Sequence, residues 1–344
     1  MMDCGVVGMD PAGLVLAILL ARSGWNVTVV DRVPDPRPAG ISPFLSPQSL
    51  ELLDDLGLFD EVAEAGRPVR EVVEHFPDGR SHVVDYGRHT AGRFGYTLSV
   101  PLPTLTGILR NALAGRVSVS SGVPVELDAA EGVVTLDSGE TVGCRFLVGC
   151  DGKFSKFRRM SGIEVEVVAF DRPLMMTHVP AIPGWPDRIT VHHTDRGPVT
   201  AIPLAESRMI VQWIADREDE REFRSQVASA MPEVSLTEGD RVMAVRHHVV
   251  RPKSWSRGRA GLLGDAAHGV HSFGGQGLSL GVQDAMVLAY ALVRTRRPFA
   301  YYEQLRRPFV ERFQDRQMAS LTYAGISDAM LHGQPEAWAC YQRL

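Results

Sequence analysis

The sequence predicts an α/β protein whose parallel strands end at one ligand crevice, and three stretches predict it. The first is Val6-Val7-Gly8-Met9-Asp10-Pro11-Ala12-Gly13-Leu14, a strand, a tight turn and the start of a helix. The second is Phe146-Leu147-Val148-Gly149-Cys150-Asp151-Gly152, an apolar strand running into Asp-Gly and then a basic helix. The third runs from Gly258 through Gly264-Asp265-Ala266-Ala267-His268 to Phe273-Gly274-Gly275-Gln276-Gly277-Leu278: a buried strand, Gly-Asp, a glycine-rich turn and a helix. Open α/β sheets bind ligands outside the carboxyl ends of their strands, where all three place glycines and acids.

In chain order, Cys4 to Val7 is the first strand and Pro11 to Ser23 the first helix, with Leu14, Ala17, Ile18 and Ala21 at helical spacing. Pro11 suits the first turn, where an N–H would find no partner in the helix. Gly24 closes the helix, and Asn26 to Asp31 is a second strand ending in an acid, completing a dinucleotide-type βαβ unit. A proline-rich loop follows, Arg32 to Gly40; then Ser46 caps a helix with Pro47 in its first turn. Alternation from Val69 to Tyr86 predicts a hairpin about Pro77-Asp78-Gly79. A strand at Thr97–Val100 leads to a helix from about Thr104 to Leu113. Strands follow at Val117–Val125, Val133–Leu136 and Thr141–Val148, with more between Val165 and Gln212 and another at Val242–Val250. Helices are expected at Glu218–Ala230, Gly277–Leu292 and Tyr301–Met330.

Composition excludes several classes. The 344 residues carry a net charge of −5 with no basic stripe, so nucleic acid is not an expected partner. No apolar run is long enough for a membrane span. The first strand begins almost at the first residue, leaving no room for a signal peptide, and Cys4, Cys144, Cys150 and Cys340 lack metal-ligand spacing. A cytoplasmic, reduced, metal-free protein is expected, as a monomer or homodimer.

These motifs resemble those of the FAD-dependent aromatic hydroxylases, the single-component flavoprotein monooxygenases of the p-hydroxybenzoate hydroxylase type, from Val6 to about Arg316. The resemblance implies a Rossmann-like FAD-binding domain (residues 1–70, 95–160 and 250–320) interleaved with a smaller mixed-sheet substrate domain (71–94 and 161–249), then C-terminal helices (321–344). It implies FAD as cofactor and NAD(P)H as reductant. The cofactor set is Gly8, Asp10, Gly13, Asp31, Arg32, Asp151, Gly152, Gly264, Asp265, Gly275, Gly277 and Leu278. Asp31 would bind the adenosine ribose, Asp265 the ribitol chain, and Asp151 would lie near the pyrophosphate. Gly277 and Leu278 would offer N–H groups to the flavin ring. His268 and His271, flanking the glycine loop, are the candidate proton donors or acceptors.

Four positions depart from the family pattern. Asp10 stands at the second glycine, where the backbone must approach a pyrophosphate. Leu102 stands where an arginine helps hold FAD, Ser279 replaces an asparagine, and His271-Ser272 replace paired prolines. Three functions remain open: a flavin monooxygenase hydroxylating or epoxidising a large, apolar polyketide or phenol of secondary metabolism; a cyclase (including a pericyclic one), isomerase or dehydratase that has kept the cavity and dropped redox work; or a catalytically dead binding protein.

Overall fold

The computed structural model describes residues 2–31, 43–90, 92–323 and 333–344. Strand β1 (Met2–Val7) lies at the centre of an eight-stranded sheet, parallel to Val27–Asp31 (β2) on one side and to Thr141–Gly149 on the other. Ser118–Ser121 extends the parallel array beyond β2, and Ala260–Leu262 extends it beyond Thr141–Gly149. The three motif strands therefore share one sheet and end on the same edge. Helix α1 (Pro11–Arg22) crosses from β1 to β2 and packs on the long helix Gly277–Arg294. That contact needs a small residue: a Cβ on Gly281 would lie 2.9 Å from the Ala12 methyl; on the sheet side of α1, a Cβ on Gly13 would lie 2.3 Å from Cys150 Sγ.

A seven-stranded, mainly antiparallel sheet forms the second layer. It includes the hairpin Glu71–His75 and Ser81–Asp85 together with Leu174–Pro180, Arg188–Thr194, Gly197–Leu204 and Arg208–Ile214. One face buries Trp213, Val199 and Met209 against helix Glu220–Ala230 through Phe223 and Val227. The other face joins Val72, Val191, Ile202 and Ile210 to the main core, which also contains Phe273 and Leu280 from the third motif. That face roofs the crevice side of the first sheet.

Several expected elements shift for local reasons. The strand expected over Val117–Val125 is two, Ser118–Ser121 and Pro124–Asp128, because Val123 turns aside to exchange hydrogen bonds with Asp137. Val242–Val250 also divides: Met243–Val245 joins the seven-stranded sheet, whereas His248–Pro252 pairs with Val165–Ala169. Pro103 lies in the first turn of a helix that begins at Leu102 rather than Thr104. The last long helix starts at Pro298 and ends at Ala319; the rest of the expected Tyr301–Met330 stretch lies largely outside the described residues.

Candidate active site

The crevice begins at Gly8. Its φ of +106° is open to glycine and strained for other residues, and a Cβ there would lie 2.6 Å from the Cys150 carbonyl oxygen. Gly8, Asp31 and Asp151 line one hollow of about 260 Å³ with Pro124, Phe154 and Lys156. Asp31 also borders a second hollow of about 380 Å³, walled by Met9, Leu113, Val117 and Val119. Arg110, eight residues past Leu102 on the same helix, brings a guanidinium nitrogen 3.7 Å from Asp31 Oδ2. Sequence reasoning marked the absent arginine at Leu102 and missed Arg110, whose only signal was its place on a helix pointing at the end of β2. Arg32 lies outside the described residues.

Asp10 is the N-cap of α1, and its Oδ1 accepts the Gly13 N–H at 2.7 Å. Across the crevice, a Cβ on Gly264 (φ +59°) would lie 3.8 Å from Asp10 Oδ2. The half-buried Asp265 stands beside Gly277: a Cβ on Gly277 would lie 3.8 Å from Asp265 Oδ1. Asp10, Gly264, Asp265 and Gly277 thus converge although they span the chain. Gly274 and Gly275 have φ of +88° and +65°, and a Cβ on Gly275 would meet the Phe44 ring at 2.7 Å. Gly277 starts the helix without positive φ, with Leu278 half-buried next to it. Ser279, one of the departures, has a structural task. Its hydroxyl accepts the Ser46 N–H at 3.0 Å and donates to the Phe44 carbonyl at 3.2 Å, tying the Phe44 strand to the helix.

Asp151 acts first as a cap. Its carboxylate accepts the backbone N–H groups of Lys156 and Phe157 at 2.7 and 2.9 Å, and the Ser155 hydroxyl. Gly152 beside it has φ of +87° and open space around it. The basic residues that follow reach the third motif. Lys153 Nζ donates to the Val270 carbonyl at 2.7 Å, and the buried Arg158 donates to Ala266 O at 2.7 Å.

The two histidines do not sit as expected. His268 is buried, and its Nε2 meets Asp284, which also accepts Arg306 Nε at 2.6 Å and the Gly264 N–H at 3.3 Å. Burial pushes the Asp284 carboxyl up, but the charges and hydrogen bonds of His268 and Arg306 outweigh it and hold the pKa below the usual value. His268 is therefore a member of a buried ion-pair network that fixes the Gly-Asp loop, not a group facing the cavity. His271 is fully buried between Phe170 and His247, with ring centroids 4.6 and 4.2 Å away. Burial, then His247 and Lys153, push its pKa down to about 2. It stays neutral at neutral pH and is enclosed by these rings rather than open to the crevice. Its Nδ1 accepts the Phe273 N–H at 2.9 Å, which puts the proton on Nε2.

A further feature had no sequence signal beyond alternation. His82, Glu74, Val191, Thr200, Gln212 and Met176 are direct cross-strand neighbours on the roofing face of the seven-stranded sheet. The fully buried Glu74 accepts from His193 Nε2 at 2.8 Å and the Tyr323 N–H at 2.9 Å, and meets His82 Nδ1 at 3.2 Å. Among the described residues no group of His, Cys, Asp and Glu could hold a metal, and no helix is long and apolar enough to cross a membrane.

A glycine-lined strand edge, an acid at the end of β2 and a glycine-rich helix start under a roofing sheet define a flavoprotein of the aromatic-hydroxylase class. A family model described as an FAD binding domain matches residues 1–317, and the chain belongs to this FAD-dependent monooxygenase family. A protoasukamycin 4-monooxygenase from Streptomyces nodosus subsp. asukaensis is 34% identical over 92% of this chain and 86% of its own. A dialkyldecalin synthase from Streptomyces rugosporus is 26% identical over 84% of this chain and 65% of its own. The structure of p-nitrophenol 4-monooxygenase from Pseudomonas putida DLL-E4 superposes with a TM-score of 0.82 at 20% identity, covering 100% of this chain and 98% of that one, a likeness of fold.

The residues present fit FAD. The cradle at Gly8, which a Cβ would fill, and the two hollows flanking Asp31 suit a dinucleotide. Gly264-Asp265 and the glycine-rich turn suit the ribitol and ring end.

Proposed function

We propose that the chain is an FAD-dependent monooxygenase acting on a large, largely apolar phenolic or polyketide molecule of secondary metabolism, with NAD(P)H as reductant. Bound FAD would supply reduction and oxygen activation. Gly8, Asp31 and Arg110 would hold its adenosine half, Asp265 its ribitol, and the N–H groups of Gly277 and Leu278 its ring, at the positive end of an 18-residue helix. Residues 1–70, 95–160 and 250–320 would form the cofactor unit and residues 71–94 and 161–249 the substrate unit, with 321–344 as a helical tail.

The observation that carries the substrate class is the roofing face. Val72, Val191, Ile202, Ile210 and Met176 make it apolar, and Thr200 and Gln212 add two uncharged polar groups side by side. The carboxylate there, Glu74, is already bonded to His193 and Tyr323. Such a surface suits a neutral ring carrying hydroxyl or carbonyl groups better than a simple aromatic acid. His268 would serve as a positioning residue for the Gly-Asp loop and His271 for the turn at Phe273.

One observation favours a second reading: the Asp10 carboxylate lies where the cofactor's pyrophosphate would approach α1. A non-redox cyclisation or isomerisation in the same cavity is that alternative, and a dialkyldecalin synthase is among the relatives. The test supplies the protein with FAD, NADPH and phenolic polyketides under labelled oxygen. Label entering a product supports the monooxygenase. A product isomeric with its substrate, formed equally without NADPH, supports the alternative.

A further inference from the structure

We propose that Asp10 is a resident anion of the cofactor site, so that FAD is an exchangeable ligand whose affinity this one carboxylate sets. The inference rests on the reading that the crevice takes FAD. It starts from the donors of α1. A helix N-terminus binds phosphate through free backbone N–H groups and the positive end of its dipole. Here Pro11 has no N–H, the Gly13 N–H goes to Asp10 Oδ1 at 2.7 Å, and the Leu14 N–H goes to the Asp10 carbonyl at 3.0 Å. Ala12 is the remaining donor of the first turn. A pyrophosphate arriving at α1 must displace the carboxylate from Gly13 and then lie beside it.

Two further carboxylates stand near Asp10. Asp31 and Asp151 line the hollow next to Asp10. All three carboxylates act on Cys150, whose thiol pKa is raised first by burial and then by these charges. Among the described residues, Lys156 lines that hollow with Asp31 and Asp151, Arg110 pairs with Asp31, and Lys153 is bonded to the Val270 carbonyl. Conformation does not require the substitution to be harmful. Asp10 has φ −72° and ψ 161°, extended backbone that any residue adopts, so replacing it leaves the chain path intact. What Asp10 changes is the charge and the donor supply at the phosphate position.

Two variants separate these effects. Asp10→Gly removes the charge and frees the Gly13 N–H. Asp10→Asn removes the charge and keeps an acceptor for Gly13. Calorimetric titration of flavin-free protein with FAD, ADP, adenosine and riboflavin reads the outcome without turnover. FAD and ADP should bind about tenfold or more tightly to Asp10→Gly than to wild type, tenfold being about 1.4 kcal/mol. Asp10→Asn should gain part of that, and adenosine and riboflavin should change less than about twofold in either variant. Thermal melts confirm that each variant is folded; if Asp10→Gly is not, Asp10→Asn carries the test. Equal affinity of wild type and folded variants for FAD and ADP overturns the proposal, as does an equal gain for adenosine. If FAD binds to no folded form while ADP still tightens, the FAD reading fails and the role of Asp10 as resident anion stands.

Discussion

Replacing Asp284 with asparagine should destabilise the protein by roughly 3–5 kcal/mol, the usual cost of removing one partner from a buried ion pair. Asp284 and Arg306 have no exposed surface, and the guanidinium has no route to water. In Asp284→Asn, Arg306 keeps the Gln283 and Gln334 side-chain oxygens at 3.0 and 2.6 Å and the Leu280 carbonyl at 3.1 Å. It loses the only carboxylate bonded to it among the described residues, and His268 loses the same partner. With an unfolding entropy of about 2.1 cal/mol/K per residue, the melting temperature should fall by about 4–7 °C. Circular dichroism melts and urea titrations at pH 7 measure this. Acid adds a second signature. The folded-state pKa of Asp284 lies below its unfolded value, so the contribution is complete above about pH 4 and declines as pH falls through the folded pKa. Asp284→Asn should lack that part of the acid limb. A variant melting within about 1 °C of wild type, where the cost implies several degrees, would refute the view that this network anchors the Gly-Asp loop.

The other expectations are briefer. His271, held neutral with a pKa near 2, contributes stability in full above its unfolded value of about 6.5 and loses about 1.4 kcal/mol per pH unit below it. His271→Gln should therefore flatten the decline of stability between pH 6.5 and about 4, and an unchanged slope in urea titrations would contradict its burial. Gly275→Leu places a side chain against Phe44 at a φ of +65°; it should cost about 1–3 kcal/mol and abolish turnover in a protein still folded by circular dichroism. The Cys150 thiol, with its pKa raised by burial, should react with a thiol reagent at pH 8 only at the rate of unfolding; immediate labelling in native protein would place it at an open surface.

Local chemistry made the frame legible. Pro11 and Pro47 in first turns, Ser46 as a cap and Pro77-Asp78-Gly79 as a hairpin turn each act over a few residues, and each appears where its chemistry puts it. The glycines of the first and third motifs were legible for the same reason. The partners of the site acids were not. Arg110 reaches Asp31 from a helix about 80 positions away, and Asp284 meets His268 because two turns of a helix bring them together in a core that sequence alone does not reveal. His268 and His271 drew attention because they flank the glycine-rich loop; in the fold Trp255, Phe170 and His247 cover them. Glu74 looked like the polar half of an alternating strand until the register placed it opposite Val191 on the inward face.

The bonds from Lys153 to Val270 and from Arg158 to Ala266 join positions 117 and 108 residues apart. Five of the seven strands of the roofing sheet are threaded between those ends. During synthesis, the first and second motifs emerge early, but they acquire their third wall only after strand Ala260–Leu262 is made and finds Thr141–Gly149 across that insertion. Pairing parallel strands over so long a loop is a slow step in folding. The crevice thus cannot mature before the third motif is made, and a nascent chain that stops short of residue 260 carries a βαβ unit with no flavin site to complete it.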